Sequence, residues 1–327
     1  MRSVLGAQPL RLAVTVLLFG YCLSLIEVQH VASVLADVSH LPFAAAFLCT
    51  LSGTVVAKAV VTWRLLSPGH ATPFLRVLTI NLALRFYTMV LPRAVVTGIR
   101  WHRYRRLCSG DLSLVLVSIE ASLALAVAAL ATFVFIGMER SAAVTAELKL
   151  LIGGFSLASC CAMFLIFLFP AAGVLPPIER FAASRRRLQP VARAIGRWRA
   201  AALQLHLPRP SVFVPVLVAG VAGHLLFLGG GYLLFLSLSS DISFVAVAWV
   251  RSAVFLLVSV PVSVAGIGVR ELGFVSLFGL YGMPAEEAIA YSLLALIVQS
   301  CIGLIGAGTE LSGRLHASIG ERRRSWH

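Results

Sequence analysis

The sequence predicts an all-α protein, a polytopic transmembrane helical bundle, and three observations support this fold class. Hydrophobic residues make up 59% of the 327 residues, whereas charged residues make up only 12%. The mean hydropathy of +0.95 lies outside the range of soluble domains. Several continuous apolar runs reach the ~20 residues that a helix needs to cross a ~30 Å hydrocarbon core.

The apolar runs predict about seven to eight spans within one integral-membrane domain covering residues 1–327. A first half of about 1–170 and a second half of about 211–310 are joined by a basic loop, 171–210. The second span contains Lys58, which we interpret as a side chain that extends to the membrane interface. A half-span at Leu272–Tyr281 is added to the predicted full spans, which are Leu10–Ile26, Leu41–Trp63, Leu112–Ile136, Leu150–Phe169, Phe213–Leu236, Phe244–Val260 and Ala288–Gly308.

The net charge of +14 is concentrated in three segments between or after spans, Arg93–Arg106, Pro176–Arg209 and Arg322–Arg324. Because basic loops stay on the cytoplasmic side, these segments predict a cell inner membrane protein with both termini in the cytoplasm. The same charge favours contact with anionic lipid headgroups rather than with nucleic acid. Leu188–Leu205 is either an amphipathic helix on the inner leaflet or part of a solvated linker.

Two elements are predicted to be broken or re-entrant. Thr72–Leu91 is apolar and ends at Pro92, but basic segments lie on both sides of it, so a simple crossing would place one of them outside. We therefore expect a hairpin or re-entrant element there. The second break follows the sixth span, where Pro261, Gly266 and Gly268 interrupt the helix.

The two breaks share an order of residues: proline, small or β-branched residues, glycine, one aliphatic residue and arginine. The first copy runs from Pro92 through Gly98 to Arg100, and the second runs from Pro261 through Gly268 to Arg270. Paired interruptions in two halves of a membrane protein indicate a transporter's central site. Chance similarity is the alternative. A true repeat predicts that Arg100 and Arg270 face one central cavity.

The residues from Pro261 to Glu271 also carry a family resemblance. Together with Gly279–Gly282, Ala290–Ser292 and glycines at 303, 306 and 308, they resemble the lysylphosphatidylglycerol synthase transmembrane region, also called flippase-like. The resemblance implies a membrane domain that handles lipids, and it marks Leu91-Pro92 as part of a first family motif. The proteins that give the family its name aminoacylate lipid through a soluble domain. We find no such domain here and expect no lysyl-lipid synthesis by this chain alone.

The ionisable residues in apolar sequence are the candidate site residues, because charge at membrane depth is costly. Neighbours on a helix point ~100° apart, so Arg270 and Glu271 are expected to need separate partners. Arg270 offers a fork suited to phosphate, next to a helix start that favours anions. The alternative is that Glu271 only complements the helix start while Arg270 pairs with a buried acid. Glu120 is expected to pair with Arg85 or Arg251.

These patterns predict a protein that binds and translocates a lipid with a charged headgroup, either a phospholipid or an isoprenoid-linked lipid. The alternative is a membrane scaffold or accessory subunit for a lipid- or glycan-modifying enzyme, docked through the basic loop. We find no catalytic order of residues and no metal-ligand spacing, and expect no enzymatic activity, cofactor or metal. The predicted substrate-binding residues are Arg270, Glu271, Gly266, Gly268, Pro261, Arg100, Gly98, Pro92, Arg85 and Glu120.

Overall fold

The regular structure is helical throughout the part of the chain that the computed structural model describes. That part comprises residues 17, 20–21, 28–67, 72–91, 93–108, 112–138, 145–168, 175–185, 188–204, 210–238, 242–259 and 266–324. Its helices are α1 Val28–Ala36, α2 His40–Leu66, α3 Phe74–Val90, α4 Arg93–Arg105, α5 Leu112–Met138, α6 Ala146–Leu168, α7 Leu175–Ser184, α8 Gln189–Gln204, α9 Pro210–Leu236, α10 Phe244–Ser259, α11 Val269–Gly279 and α12 Ala285–Arg324.

Four of the described helices are long and apolar enough to cross a membrane. They are α2, α5, α9 and the first 28 residues of α12. These spans confirm the predicted polytopic helical bundle. The predicted span Leu150–Phe169 corresponds to α6, while the predicted span Leu10–Ile26 lies almost entirely outside the described residues.

α3 and α4 form the first hairpin. The break before Pro92 agrees with the sequence, but Thr72–Leu91 does not itself turn back: α3 is one continuous helix, and the basic segment Arg93–Arg105 forms the returning limb. Leu91, which precedes a proline, has the extended backbone (φ −117°, ψ 149°) that a following proline favours, and this ends α3. The chain then folds back, so that the Tyr104 hydroxyl of α4 lies 3.3 Å from Oδ1 of Asn81 in α3. Pro92 itself lies outside the described residues.

α10 and α11 form the second hairpin. Gly273 of α11 lies against Val254 of α10, and the Trp249 indole donates a hydrogen bond to the Tyr281 hydroxyl near the open end. Gly266 and Gly268 have φ of 79° and 82°, values that residues with a side chain rarely adopt, and they direct the chain into α11. The predicted break is therefore present, although Pro261 lies outside the described residues.

The two hairpins open toward opposite ends of α12. Arg103, near the open end of the first hairpin, binds Glu310 near the C-terminal end of α12. The open end of the second hairpin leads directly into Ala285, where α12 begins. Each hairpin also packs its first helix on a spanning helix of the other half, α3 on α12 and α10 on α5.

The first spanning helices of the two halves, α2 and α9, cross in antiparallel directions. Gly53 lies beside Gly223, and Thr50, earlier in α2, lies beside Gly230, later in α9. Corresponding helices that run in opposite directions are a feature of inverted-topology repeats. The helix directions are those of an inverted repeat, but the predicted meeting of Arg100 and Arg270 at one cavity is not observed, because Arg270 contacts Ser292 and Arg100 acts on Glu120.

Candidate functional site

Four ionisable side chains in the membrane-spanning region act on one another electrostatically, and we call them the basic cluster. The cluster consists of Lys58 from α2, Arg85 from α3, Arg100 from α4 and Glu120 from α5. It therefore joins every helix of the first half from α2 to α5. Lys58 and Arg100 act on the single carboxylate of Glu120, and Arg85 acts on these two basic groups.

Glu120 is buried, with 2% of its surface exposed. One carboxylate oxygen contacts the Thr62 hydroxyl and lies 3.3 Å from the Tyr104 hydroxyl, while the other oxygen has no hydrogen-bond partner within the described residues. The Tyr104 hydroxyl also lies 3.3 Å from Asn81, so its single proton is donated to only one of these groups at a time. The polar partners of the cluster thus hold Glu120 without neutralising the surplus of basic groups.

A π-helical turn at Ser52–Val56 in α2 positions Arg85. Nη2 of Arg85 donates a 2.6 Å hydrogen bond to the carbonyl oxygen of Thr54, inside this turn. Such π-helical turns disturb the regular helix and often occur at functional sites. The α2 helix therefore supplies both a basic side chain and an accepting carbonyl to the cluster.

The expectation that Glu120 would pair with Arg85 or Arg251 was wrong. Arg85 donates its hydrogen bond to the Thr54 carbonyl oxygen, and Arg251 donates to the Tyr291 hydroxyl at 2.7 Å. The error arises because the tertiary contacts of α3 and α10 are set by helix packing, which local sequence does not reveal. The interpretation of Lys58 as a side chain that extends to the membrane interface stays a prediction.

The motif at the start of α11 forms a separate, internally satisfied network. Glu271 accepts a 2.7 Å hydrogen bond from the Gly268 backbone N–H, which is a capping-box arrangement. Nε of Arg270 donates to Glu271 at 2.9 Å and lies 3.1 Å from the Ser292 hydroxyl of α12. All the described polar contacts of the two side chains are therefore within the protein.

The expectation that Arg270 and Glu271 would need separate partners was wrong. Glu271 lies in the first turn of α11 and bends back to cap it, which places its carboxylate beside the long Arg270 side chain. The ~100° separation of neighbours applies to the Cβ directions, and two flexible side chains can still meet at a helix end. The capping alternative for Glu271 is confirmed by this geometry.

Arg100 and Arg270 lie in different clusters rather than at one central cavity. Arg270 contacts Ser292, whereas Arg103, one turn after Arg100, binds Glu310. Ser292 and Glu310 are about 27 Å apart along α12 at 1.5 Å per residue. Arg85, Arg100 and Glu120 are thus brought together, and Arg270 and Glu271 form a second group at the other hairpin.

A cavity of about 930 Å³ lies between α3 and α4. Gly98 lines it, and an added Cβ at Gly98 would meet no atom within 4 Å. The Arg103–Glu310 ion pair, 2.8 Å long, lies at this cavity. Arg100 does not line the cavity; it lies on the other face of α4, which carries the basic cluster.

The comparison with known families agrees with the motif and the fold. The family described as the lysylphosphatidylglycerol synthase TM region matches residues 8–306, nearly the whole chain. The chain belongs to this family. No curated protein matches the chain significantly.

A buried arginine lies in the other half, on α10. Arg251 is 5% exposed, and its guanidinium lies 4.2 Å from the centre of the Phe227 ring. Its Nε has no hydrogen-bond partner among the described residues. Gly231 makes room for it, since a Cβ there would overlap the guanidinium. Within the described residues, no carboxylate pairs with Arg251, so its burial is costly.

Sequence reasoning missed one member of the basic cluster and the uncharged residues around it. Lys58 was not among the predicted site residues, although it acts on Glu120. Neither were the uncharged residues that contact Glu120 or one another, which are Thr62, Tyr104 and Asn81. A signal for Lys58 was present, because a lysine and Glu120 both interrupt apolar spans and opposite charges in a membrane tend to pair. Nothing in the local sequence singled out the three uncharged partners.

Proposed function

We propose that this protein binds and translocates a lipid with an anionic headgroup, a phospholipid or an isoprenoid-linked lipid, and that it does so without catalysis. The observation that supports this is the charge of the basic cluster, in which the basic groups of Lys58, Arg85 and Arg100 outnumber the single carboxylate of Glu120. A surplus of basic groups in a membrane interior is unfavourable unless an anion compensates it. Membership of the lysylphosphatidylglycerol synthase TM region favours a lipid as the source of that anion.

The chemistry of the cluster suits a phosphate group. Arginine offers a planar fork that binds two phosphate oxygens, and lysine adds a mobile point charge. Nε of Arg100 is buried without a partner within the described residues, so a donor is free for a ligand. Glu120 would offset part of the charge of the arginine and lysine side chains when no lipid is present.

The two oppositely oriented hairpins support movement of the lipid rather than binding alone. Broken helices in inverted halves allow one half to move against the other while a site is exposed to each side in turn. We place the protein in the cell inner membrane with both termini in the cytoplasm, because the arginines of α4 and of the α7–α8 segment favour that side.

One observation favours the alternative, a scaffold or accessory subunit for a lipid- or glycan-modifying enzyme. α7 and α8 pack against each other and α8 packs on α5, which makes the basic loop an ordered helical pair rather than a linker. Phe181 of α7 is 61% exposed beside Arg185, whose guanidinium lies 5.6 Å from its ring. An ordered surface of this kind suits a protein partner as well as a membrane.

The test is transport of fluorescent phospholipids and of a labelled isoprenoid phosphate in vesicles that contain the purified protein. Arg100→Gln removes one basic group but leaves Lys58 to face Glu120, so folding should be retained. We expect transport to fall at least about tenfold, the effect of losing one charge-assisted bond of about 1.5–3 kcal/mol. Arg64→Gln, the same change at an exposed arginine in α2, is the control.

Unchanged transport by folded Arg100→Gln protein would refute the role of the basic cluster. The scaffold function would be favoured by two results together. The unaltered protein would transport none of these lipids, and the α7–α8 segment, used as bait in an affinity purification, would capture an enzyme.

A further inference from the structure

The cavity between α3 and α4 is amphiphilic. One part of its wall is apolar, with Ile80, Val95, Ile99 and Leu107. The rest carries polar and basic side chains, namely Arg76, Tyr87, His102, Arg103 and Arg106. A cavity that combines an aliphatic wall with a group of arginines matches a lipid that has an anionic headgroup, and it is large enough for a headgroup and the first part of a chain.

The charges at the cavity indicate how many negative charges the headgroup carries. Arg103 is neutralised by Glu310 at 2.8 Å. Arg76 and Arg106 are exposed, and within the described residues neither has a carboxylate partner. Two positive charges therefore remain at the cavity. A phosphomonoester or a diphosphate carries enough negative charge to neutralise both, whereas a phosphodiester, with a single negative charge, neutralises only one.

The cavity is separate from the basic cluster although α4 contributes to both. The α4 residues at the cavity, Val95, Gly98, Ile99, His102 and Arg103, recur at helical spacing on one face. Arg100 and Tyr104, four residues apart, share the other face, where they meet Glu120. One short helix thus presents arginine to two distinct compartments.

We infer that this cavity is the docking site of the transported lipid, and that the headgroup it selects carries two or more negative charges, as in a phosphatidate or an isoprenoid diphosphate. The inference rests on the proposed function, because it concerns the lipid that is transported, but the binding that it predicts can be measured without transport. Gly98 is the position that keeps the cavity open, since a side chain there would extend into free space.

The experiment measures binding to the purified full-length protein in detergent by isothermal titration calorimetry. The ligands are dioctanoyl phosphatidate, dioctanoyl phosphatidylglycerol, dioctanoyl phosphatidylcholine and inorganic pyrophosphate. We expect phosphatidate to bind at least about tenfold more tightly than phosphatidylglycerol, and phosphatidylcholine not to bind. Pyrophosphate, which lacks an apolar part, should bind more weakly than phosphatidate; equal affinity would show that a free anion, not a lipid, is the ligand.

Two variants locate the site. Gly98→Leu places a side chain in the cavity at a position where an added Cβ meets no atom within 4 Å, and it should weaken phosphatidate binding at least about tenfold. Gly154→Leu in α6, where an added Cβ also meets nothing within 4 Å, is the matched control and should bind like the unaltered protein. Arg76→Gln should weaken phosphatidate binding while leaving phosphatidylglycerol binding nearly unchanged, because it removes one of the two unbalanced charges.

Undiminished phosphatidate binding by Gly98→Leu protein, or equal affinity for phosphatidate and phosphatidylglycerol, would overturn the inference. The proposed function fails separately: if Arg100→Gln protein still transports lipid while Gly98→Leu protein loses binding, the docking site stands and the role of the basic cluster does not.

Discussion

The crossing of α2 and α9 should tolerate no side chain larger than hydrogen at Gly223. A Cβ on Gly223 would lie 2.6 Å from the Cβ of Ala57 and 3.0 Å from the carbonyl oxygen of Gly53. Neither atom can move away by a side-chain rotation, so the two helices would have to separate. Overpacking of this kind costs about 1–3 kcal/mol, which Gly223→Ala should show as a loss of stability.

The control for this prediction lies on the same helix. Gly229 in α9 would place a Cβ in open space, so Gly229→Ala should gain the higher helix propensity of alanine, about 1 kcal/mol. Both substitutions gain the same helix propensity, so the two variants should differ by the overpacking cost alone, about 1–3 kcal/mol in the free energy of unfolding. The assay is denaturation of the detergent-solubilised protein followed by size-exclusion chromatography. Equal stability of the two variants would show that α2 and α9 do not cross at these glycines.

Two further predictions concern the buried charges. Arg251→Met should leave the stability of the protein unchanged or raise it, because an apolar side chain of similar length replaces a buried charge without a described counter-charge. The measurement is the unfolding temperature. A lower value would show that the contacts of Arg251 with Tyr291 and Phe227 outweigh the cost of its burial. Glu271→Ala should destabilise the protein by about 0.5–2 kcal/mol through loss of the N-terminal cap of α11. The unpaired Arg270 should destabilise it further. The yield of folded protein after membrane extraction measures the loss of stability, and a normal yield would contradict the capping role.

The fold was predictable because its signals are local. Apolar run length located α2, α5, α9 and α12. The basic segments on both sides of α3 indicated that the chain turns back here, but not that the returning limb is the basic segment Arg93–Arg105 itself. The glycines at 266 and 268 likewise marked a break because only glycine readily takes positive φ.

The candidate site was only partly predictable because its contacts join distant segments. Arg85, Arg100 and Glu120 were identified as costly charges in apolar sequence, but their grouping with Lys58 depends on how four helices pack. The pairing of Arg270 with Glu271 was missed for a different reason. The Cβ atoms of neighbouring residues on a helix point apart, but two long side chains at a helix end can still reach each other.

The opposite orientation of the two hairpins has a consequence for how the chain enters its membrane. When two halves are inverted copies, the apolar core differs little between one face of the bilayer and the other, so it gives little information about which way to insert. The orientation therefore has to be set by the charges at the open ends of the two hairpins. The open end of the first hairpin carries Arg103, Arg105 and Arg106, whereas the open end of the second hairpin leads to Glu286 and Glu287. Replacing Arg105 and Arg106, which are exposed, by glutamine should therefore leave the fold intact and yield molecules inserted in both orientations.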